Sequence, residues 1–376
     1  MVGGSIGGLT AALLLRDIGW DVDVFERSAT LLEGRGGGIV LHPATMRYLV
    51  ERVGATPGEI GVSVTWTRYL DRAGGIAHQE PCRYRFTSYD VLYRRLLGCY
   101  GAERYHLGEE CTGLDDPGDP CLEFVSGRRI PADLVVFADG INSFGRRLLA
   151  PEAEPRYAGY VAWRGTVEES RIEPVDFGAL AAAITYHVLP AGHFIAYPIP
   201  APDPSNGRLL NWLWYWNVRP GAELRDLLIG DDDAQFTTSV PRGLVARDSL
   251  TELAHEAKVR LPPALAEILI GTPEPFIQVI FDLVVGRTTS GAACLIGDAA
   301  FTARPHIASG TAKAAEDAWT LVEALDGVHG DVERALVTWS RRQIALGTAA
   351  VRRSRDAGTR LQNGTWRVGD SSLADD

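Results

Sequence analysis

The feature that most constrains this chain is the run Gly3-Gly4-Ser5-Ile6-Gly7-Gly8, together with an acidic residue, Glu26, at the end of the next β-rich segment. A glycine turn that opens a helix lets backbone amides and the positive helix end hold a pyrophosphate. Leu9 to Asp17 carries helix-forming residues and stops near Gly19, ahead of Asp21-Val22-Asp23-Val24-Phe25-Glu26. That order, with a carboxylate about 20 residues past the turn to take a ribose hydroxyl, is the pattern of a dinucleotide-binding unit. Ser5 stands where the middle glycine of the G-x-G-x-x-G form belongs, so the turn alone is a weak signal, and an ordinary Gly-rich turn is its alternative. Met1-Val2 runs straight into the turn where a strand of about five residues is expected, which predicts an apolar strand upstream of Met1.

Two later segments, Ala132 to Gly140 and Ala293 to Asp298, read as buried parallel strands ending in acidic turns. A second glycine cluster, Gly34 to Gly38, precedes expected helices beginning after Pro43 and covering Val91 to Tyr100. From Tyr157 to about Pro275 the texture changes to aromatic-rich runs such as Tyr186-His187-Val188-Leu189 and Asn211-Trp212-Leu213-Trp214-Tyr215-Trp216, followed by a helical stretch near Leu250 to Ile270. Helices are expected from Gly310 to Leu325 and, as one long element, from Ala335 to Leu361. The fold class is therefore α/β. A Rossmann-like nucleotide domain occupies residues 1–156, with a small strand excursion near 62–88, and residues 276–330. A β-sheet substrate domain is inserted at 157–275, and a C-terminal helical segment covers 331–376.

A net charge of -11 with no basic tract argues against nucleic acid or an acidic membrane surface as partner. The longest apolar stretch, around Phe177 to Ile184, falls far short of the ~20 residues of a membrane-spanning helix. Cys82, Cys99, Cys111, Cys121 and Cys294 are scattered without a CxxC pair, which fits reduced thiols and a cytoplasmic location better than a disulfide frame or zinc site. No metal-spaced cluster stands out, so no metal is expected.

Three motifs then occur in order: the glycine turn with Glu26; Ala138-Asp139-Gly140-Ile141-Asn142-Ser143; and Gly297-Asp298-Ala299-Ala300, followed by Arg304-Pro305-His306 and Gly310-Thr311. Over essentially the whole chain they resemble the group A FAD-dependent aromatic hydroxylases, relatives of para-hydroxybenzoate hydroxylase. Within that group, Val2 to Leu9, Phe86-Thr87-Ser88-Tyr89, Asn211-Trp212 with Tyr215, and Ala300 through Ala312 are similar to the dihydroxypyridine hydroxylases. The resemblance implies FAD as cofactor and NADH or NADPH as co-substrate. It also implies O2-dependent hydroxylation, through a flavin C4a-hydroperoxide, of a small electron-rich aromatic or N-heteroaromatic ring of the 2,6-dihydroxypyridine kind. A homodimer is a further implication.

Carried onto this sequence, the resemblance assigns cofactor contacts to Gly3, Gly4, Ser5, Ile6, Gly7, Gly8, Glu26, Arg27, Arg35, Asp139, Gly140, Gly297, Asp298, Pro305, Gly310 and Thr311. Glu26 would hold the adenosine ribose, Asp298 a ribityl hydroxyl, and Asp139-Gly140 would border the cofactor and nicotinamide paths. Gly310-Thr311 would begin a helix whose positive end points at the flavin pyrimidine ring. A helix cap at Asp298 and a turn former at Asp139 are the plain alternatives.

His306 is the candidate for hydrogen-bonding or deprotonating a substrate hydroxyl, given imidazole's near-neutral pKa, and a satisfied structural histidine is equally open. Tyr186, His187, Tyr197, Tyr215 and Phe301 are the pocket candidates, with core packing or sheet pairing the other reading for the strand residues. The alternation Trp212-Trp214-Trp216 reads as core. The chain departs from the family at two places: Tyr89 stands where an Arg is common, leaving Arg35, Arg94 and Arg95 as candidates for its contact, and Phe301 replaces a usual His. Other readings are a flavin-dependent oxygenase or halogenase of different substrate class and a non-catalytic flavin-binding protein. The only lysines are Lys258 and Lys313, and no WxWxIP segment is present, which disfavours the halogenase.

Overall fold

Short, largely apolar strands require neighbours that bury them. The computed structural model, which describes residues 1–328 and 331–367 apart from the side chains of 174–176, gathers them into a parallel sheet. Tyr105–Leu107 lies beside Val24–Glu26, Val2 bridges Phe25 and Phe137, and Val135–Phe137 lies beside Ala293–Leu295. Val2 thus holds the central position. The helices Ile6–Asp17 and Gly310–Leu325 pack together, and a Cβ at Gly7 would sit only 3.1 Å from the Ala314 Cβ.

The second sheet has ten strands. Its order is Ser239–Val240, Phe276–Val284, Arg156–Glu168, Arg208–Asn217, His193–Pro200, Ala183–Val188, Val62–Leu70, Ile76–Ser88 and Gly38–Val40, with Phe301–Thr302 attached to Phe276–Val284. This corrects the expected boundaries. The excursion at 62–88 joins the large sheet through a parallel seam between Ala183–Val188 and Val62–Leu70. Phe276–Val284, assigned from sequence to the nucleotide domain, runs antiparallel to Arg156–Glu168 with Trp163 opposite Ile277. An apolar strand pattern says that a strand is buried, not which sheet buries it.

One face of this sheet is core. Trp163, Trp212 and Trp214 are fully buried and share a cluster with Leu253, Ala257, Leu265 and Leu269 of two covering helices, Arg247–Arg260 and Pro263–Ile270. The Trp212 indole donates to Thr272 Oγ1 at 2.8 Å. The helical stretch breaks in two because Pro262 and Pro263 lack the amide hydrogens a helix interior needs. Period-2 alternation sends Tyr197, Leu213 and Tyr215 to the opposite face.

A 31-residue helix, Val332–Gln362, ties the two sheets together. Thr288 donates to Ser340 Oγ (2.7 Å), the Arg304 amide to Ser354 Oγ (3.0 Å), and Asn217 Nδ2 to the Gln362 carbonyl (3.2 Å). Of the expected segment 331–376, residues 368–376 lie outside the described residues.

Candidate active site

Between the sheets lies a cavity of about 1000 Å³. It runs from Ser5, Ile6 and Gly7 past Gly297 and Asp298 to Tyr186, Tyr197 and Tyr215 on the large sheet.

At its first end the glycine turn is pressed against its neighbours. Gly3 has φ +100°, and a Cβ there would meet the Ala138 carbonyl oxygen at 2.4 Å, while one at Gly8 would meet the Gly3 oxygen at 2.0 Å. The helix Ile6–Asp17 starts without a side-chain cap, so the amides of its first turn are available to an anion. Glu26 is buried at the end of its strand; Oε2 accepts from the Gly4 amide (3.0 Å) and Oε1 from the Ser28 amide (2.9 Å). A carboxylate has about four acceptor positions, so capacity remains for ribose hydroxyls. These residues fit the adenosine diphosphate half of FAD. The Ser5 side chain meets Tyr89, oxygen to oxygen, at 2.9 Å. Arg35 lines the cavity with its guanidinium on Ser28 Oγ (2.6 Å), whereas Arg94 pairs with Glu33 (2.8 Å) and Arg95 donates to the Glu59 carbonyl (2.9 Å). Arg27 is exposed and does not line the cavity.

In the middle, Asp139 caps the helix Phe144–Leu149: Oδ2 accepts from the amides of Phe144 (2.7 Å) and Gly145 (3.1 Å), and the buried Oδ1 is left without a partner. Burial pushes its carboxyl upward despite these bonds. Gly140 lines the cavity directly. The exposed surface of Asp298 opens into the cavity, and enclosure by protein, with the Asp317 charge behind it, pushes its carboxyl up to about 6. Gly297, at φ +59°, donates its amide to Asp317 Oδ2 (2.9 Å), and Asp317 is paired with Lys313 below the turn. Asp317 was missed by sequence reasoning; its signal was a Lys-Asp pair spaced i,i+4 on an expected helix. Pro305, His306, Ala308, Gly310 and Thr311 complete this wall, with Ala308 held at φ +53° before the helix Gly310–Leu325.

The far end is aromatic. Phe86 stacks on Tyr197 at 4.2 Å, and Tyr186 and Tyr215 stand beside Ile195 and Leu213. Burial pushes the Tyr197 hydroxyl up to about 12 and those of Tyr186 and Tyr215 higher, so all three stay protonated donors. His306 is buried, with Nε2 2.7 Å from the Tyr160 hydroxyl and Nδ1 unpartnered. Burial, then the neighbouring His193 and Arg304, hold its pKa well below the ordinary imidazole value, so the ring is neutral.

Two pocket candidates are corrected. The ring of His187 lies within hydrogen-bond reach of the carbonyls of Leu70 (3.0 Å) and Arg260 (3.3 Å), on the face opposite Tyr186, because adjacent strand residues point to opposite sides. Phe301 is buried in the core of the parallel sheet, so close to Val332–Gln362 that a Cβ at Gly347 would lie 2.4 Å from its ring. Arg164 and Arg242, unnoticed in the sequence, do line the cavity. Among the described residues no group of three or more His, Cys, Asp or Glu is arranged to hold a metal, and no helix is long and apolar enough to cross a membrane.

With this geometry, the chain belongs to the FAD-dependent monooxygenases that hydroxylate aromatic rings, and residues 157–282 match the FAD binding domain-like family model. It is 38% identical over 366 residues, 97% of this chain and 91% of that protein, to the 2,6-dihydroxypyridine 3-monooxygenase of Paenarthrobacter nicotinovorans. The structure of 2,6-dihydroxypyridine-3-hydroxylase from Arthrobacter nicotinovorans superposes with a TM-score of 0.94, covering 99% of this chain and 95% of that one. More distantly, the chain is 27% identical to the 3-amino-4-hydroxybenzoate 2-monooxygenase of Streptomyces cremeus, over 94% of this chain and 85% of that protein. FAD is the cofactor of this chain.

Proposed function

We propose that the chain hydroxylates a small N-heteroaromatic ring carrying hydroxyl groups, of the 2,6-dihydroxypyridine kind, with NADH or NADPH as electron donor. The observation that carries this reading is the single cavity that joins a pyrophosphate-binding turn to a wall of tyrosine hydroxyls. Bound FAD supplies electron storage and dioxygen activation. The protein's share is placement and exclusion of water.

Glu26 takes the adenosine ribose, the first turn of Ile6–Asp17 the pyrophosphate, and Asp298 a ribityl hydroxyl. The start of Gly310–Leu325 lends its positive end to the isoalloxazine. Tyr186, Tyr197 and Tyr215 donate to the oxygens of the ring substrate, which favours its ionised, more electron-rich form. His306, neutral and held by Tyr160, serves as a hydrogen-bond partner for the ring rather than as a proton store. The parallel sheet and its helices form the cofactor unit and the ten-stranded sheet the substrate unit. Five free thiols support a reducing, cytoplasmic setting, and a homodimer is the assembly we infer from the family.

The test is NADH consumption by the FAD-loaded protein with and without 2,6-dihydroxypyridine, with product analysis. Substrate-stimulated oxidation yielding a hydroxylated ring supports the reading; stimulation by a carboxylated benzene ring and not by the pyridine would redirect it.

A further inference from the structure

Three arginines line the cavity, and one of them, Arg35, rests on the hydroxyls of Ser28 (2.6 Å) and Thr30 (3.4 Å). The other two converge on one ring. Arg164, on the strand Arg156–Glu168, and Arg242, just after Ser239–Val240, both line the cavity, and their guanidinium carbons lie 5.7 and 4.6 Å from the centroid of the Phe276 ring they share. Neither makes an ion pair among the described residues. Arg164 Nη1 donates to Gln278 Oε1 at 2.6 Å, while Arg242 reaches only the carbonyls of Glu274 and Gly36, each at 3.4 Å. The carboxylates of Asp90 and Glu274 are near enough to be felt by Arg242 but do not pair with it.

Two further groups are left over at the same place. Arg164 Nε and Asn211 Nδ2 are buried without partners, and Asn211 is 1% exposed. Gly37 keeps the space beside them open: a Cβ there would lie 3.0 Å from Arg164 Nη2 and 3.1 Å from Asn211 Oδ1. Half-buried like charges without a counterion are costly, and burial together with Arg164 draws the Arg242 pKa below its ordinary value. Guanidinium forks match carboxylate, enolate and phosphate oxygens better than any other side chain.

We propose that Arg164 and Arg242 form an oxyanion subsite in the cavity wall, a reading that rests on the hydroxylase function. The oxyanion has two possible sources, an ionised oxygen of the ring substrate or a phosphate of the nicotinamide nucleotide. The pyrophosphate of FAD is already provided for at the glycine turn.

The experiment measures binding, not turnover. FAD-loaded unaltered protein, Arg164→Gln and Arg242→Gln are titrated with 2,6-dihydroxypyridine and, separately, with ADP-ribose, each followed by the change in flavin absorbance. The expected result is that the Kd of one probe rises about 10-fold or more in both variants while the other stays constant. A rise for the pyridine assigns the subsite to the ring, and a rise for ADP-ribose assigns it to the nucleotide. The proposal is overturned if neither Kd moves, if the unaltered protein binds neither probe, or if the folded variants lose FAD, which would give the charge to the cofactor. Absent turnover with binding intact counts against the proposed function alone.

Discussion

The hydroxyl oxygens of Ser5 and Tyr89 lie 2.9 Å apart, which ties the glycine turn to the start of the helix Tyr89–Tyr100. Ser5 takes the middle position of the glycine turn, and Tyr89 is the first residue of its helix. Tyr89 also fills the space beside Gly36, where a Cβ would come within 2.2 Å of the Tyr89 Cβ and 2.3 Å of its ring carbon Cγ.

This pairing predicts non-additive effects on the cofactor. Ser5→Ala and Tyr89→Phe each remove the same hydrogen bond, and each is expected to weaken FAD binding by roughly 2- to 10-fold. The double variant should be no worse than either single one. Equilibrium titration of the apoproteins with FAD decides it; fully additive losses would show that the hydroxyls act independently.

The ion pair under the Gly297 turn should matter for stability. Lys313 and Asp317 have side chains only 11% and 2% exposed. Lys313→Met leaves a buried carboxylate without its partner, and a loss of about 3–5 kcal/mol is expected in urea unfolding. Adding Asp317→Asn to Lys313→Met should recover most of that loss, since the asparagine carbonyl can still accept the Gly297 amide. Recovery below half would place the stabilisation elsewhere.

Asp298 sets a pH dependence whose sign follows from its raised carboxyl. Its carboxyl in the folded protein is raised to about 6 from the ordinary 3.8, so the folded state holds a proton that the unfolded chain has released. This group therefore costs the apoprotein stability progressively as pH rises from about 4 to about 6, and the cost is constant above that. Asp298→Asn removes the slope. Urea midpoints at pH 4.5 and pH 7 should show the variant gaining on the unaltered protein as pH rises; a gain toward low pH would reverse the assignment.

His306 should be silent in pH profiles. Its imidazole is neutral well below pH 6.5, so kcat/KM should carry no limb near that value that belongs to it. In His306→Asn the profile keeps its shape and the KM for the ring rises about 2- to 10-fold through one lost hydrogen bond. A limb near 6.5 that vanishes in the variant would make His306 a working base.

The legible parts of this molecule were local in sequence. The glycine turn, Glu26 and the helix Gly310–Leu325 each rest on spacing within one or two elements; the structure brings the turn and the start of that helix to one cavity and bonds Glu26 to the Gly4 amide of the turn. The large sheet was less legible, because its pairings join distant segments: Gly38 lies opposite Ser88, and Ala183 runs parallel to Trp66. Arg164 and Arg242 face each other only because that sheet assembles, and neither carries a motif. The orientation of His187 follows from the same alternation, since a strand that turns Tyr186 toward the cavity must turn its neighbour away.

The helix Val332–Gln362 has an evolutionary consequence. It bonds to segments of both sheets, and a Cβ at Gly358 would lie 2.6 Å from His306 Cδ2 and 2.9 Å from the Tyr160 hydroxyl. A chimera that borrowed only the ten-stranded sheet from a relative would inherit a mismatched clasp against its own ring pocket. In this architecture new specificity is more accessible through point changes on the cavity wall than through recombination of whole modules.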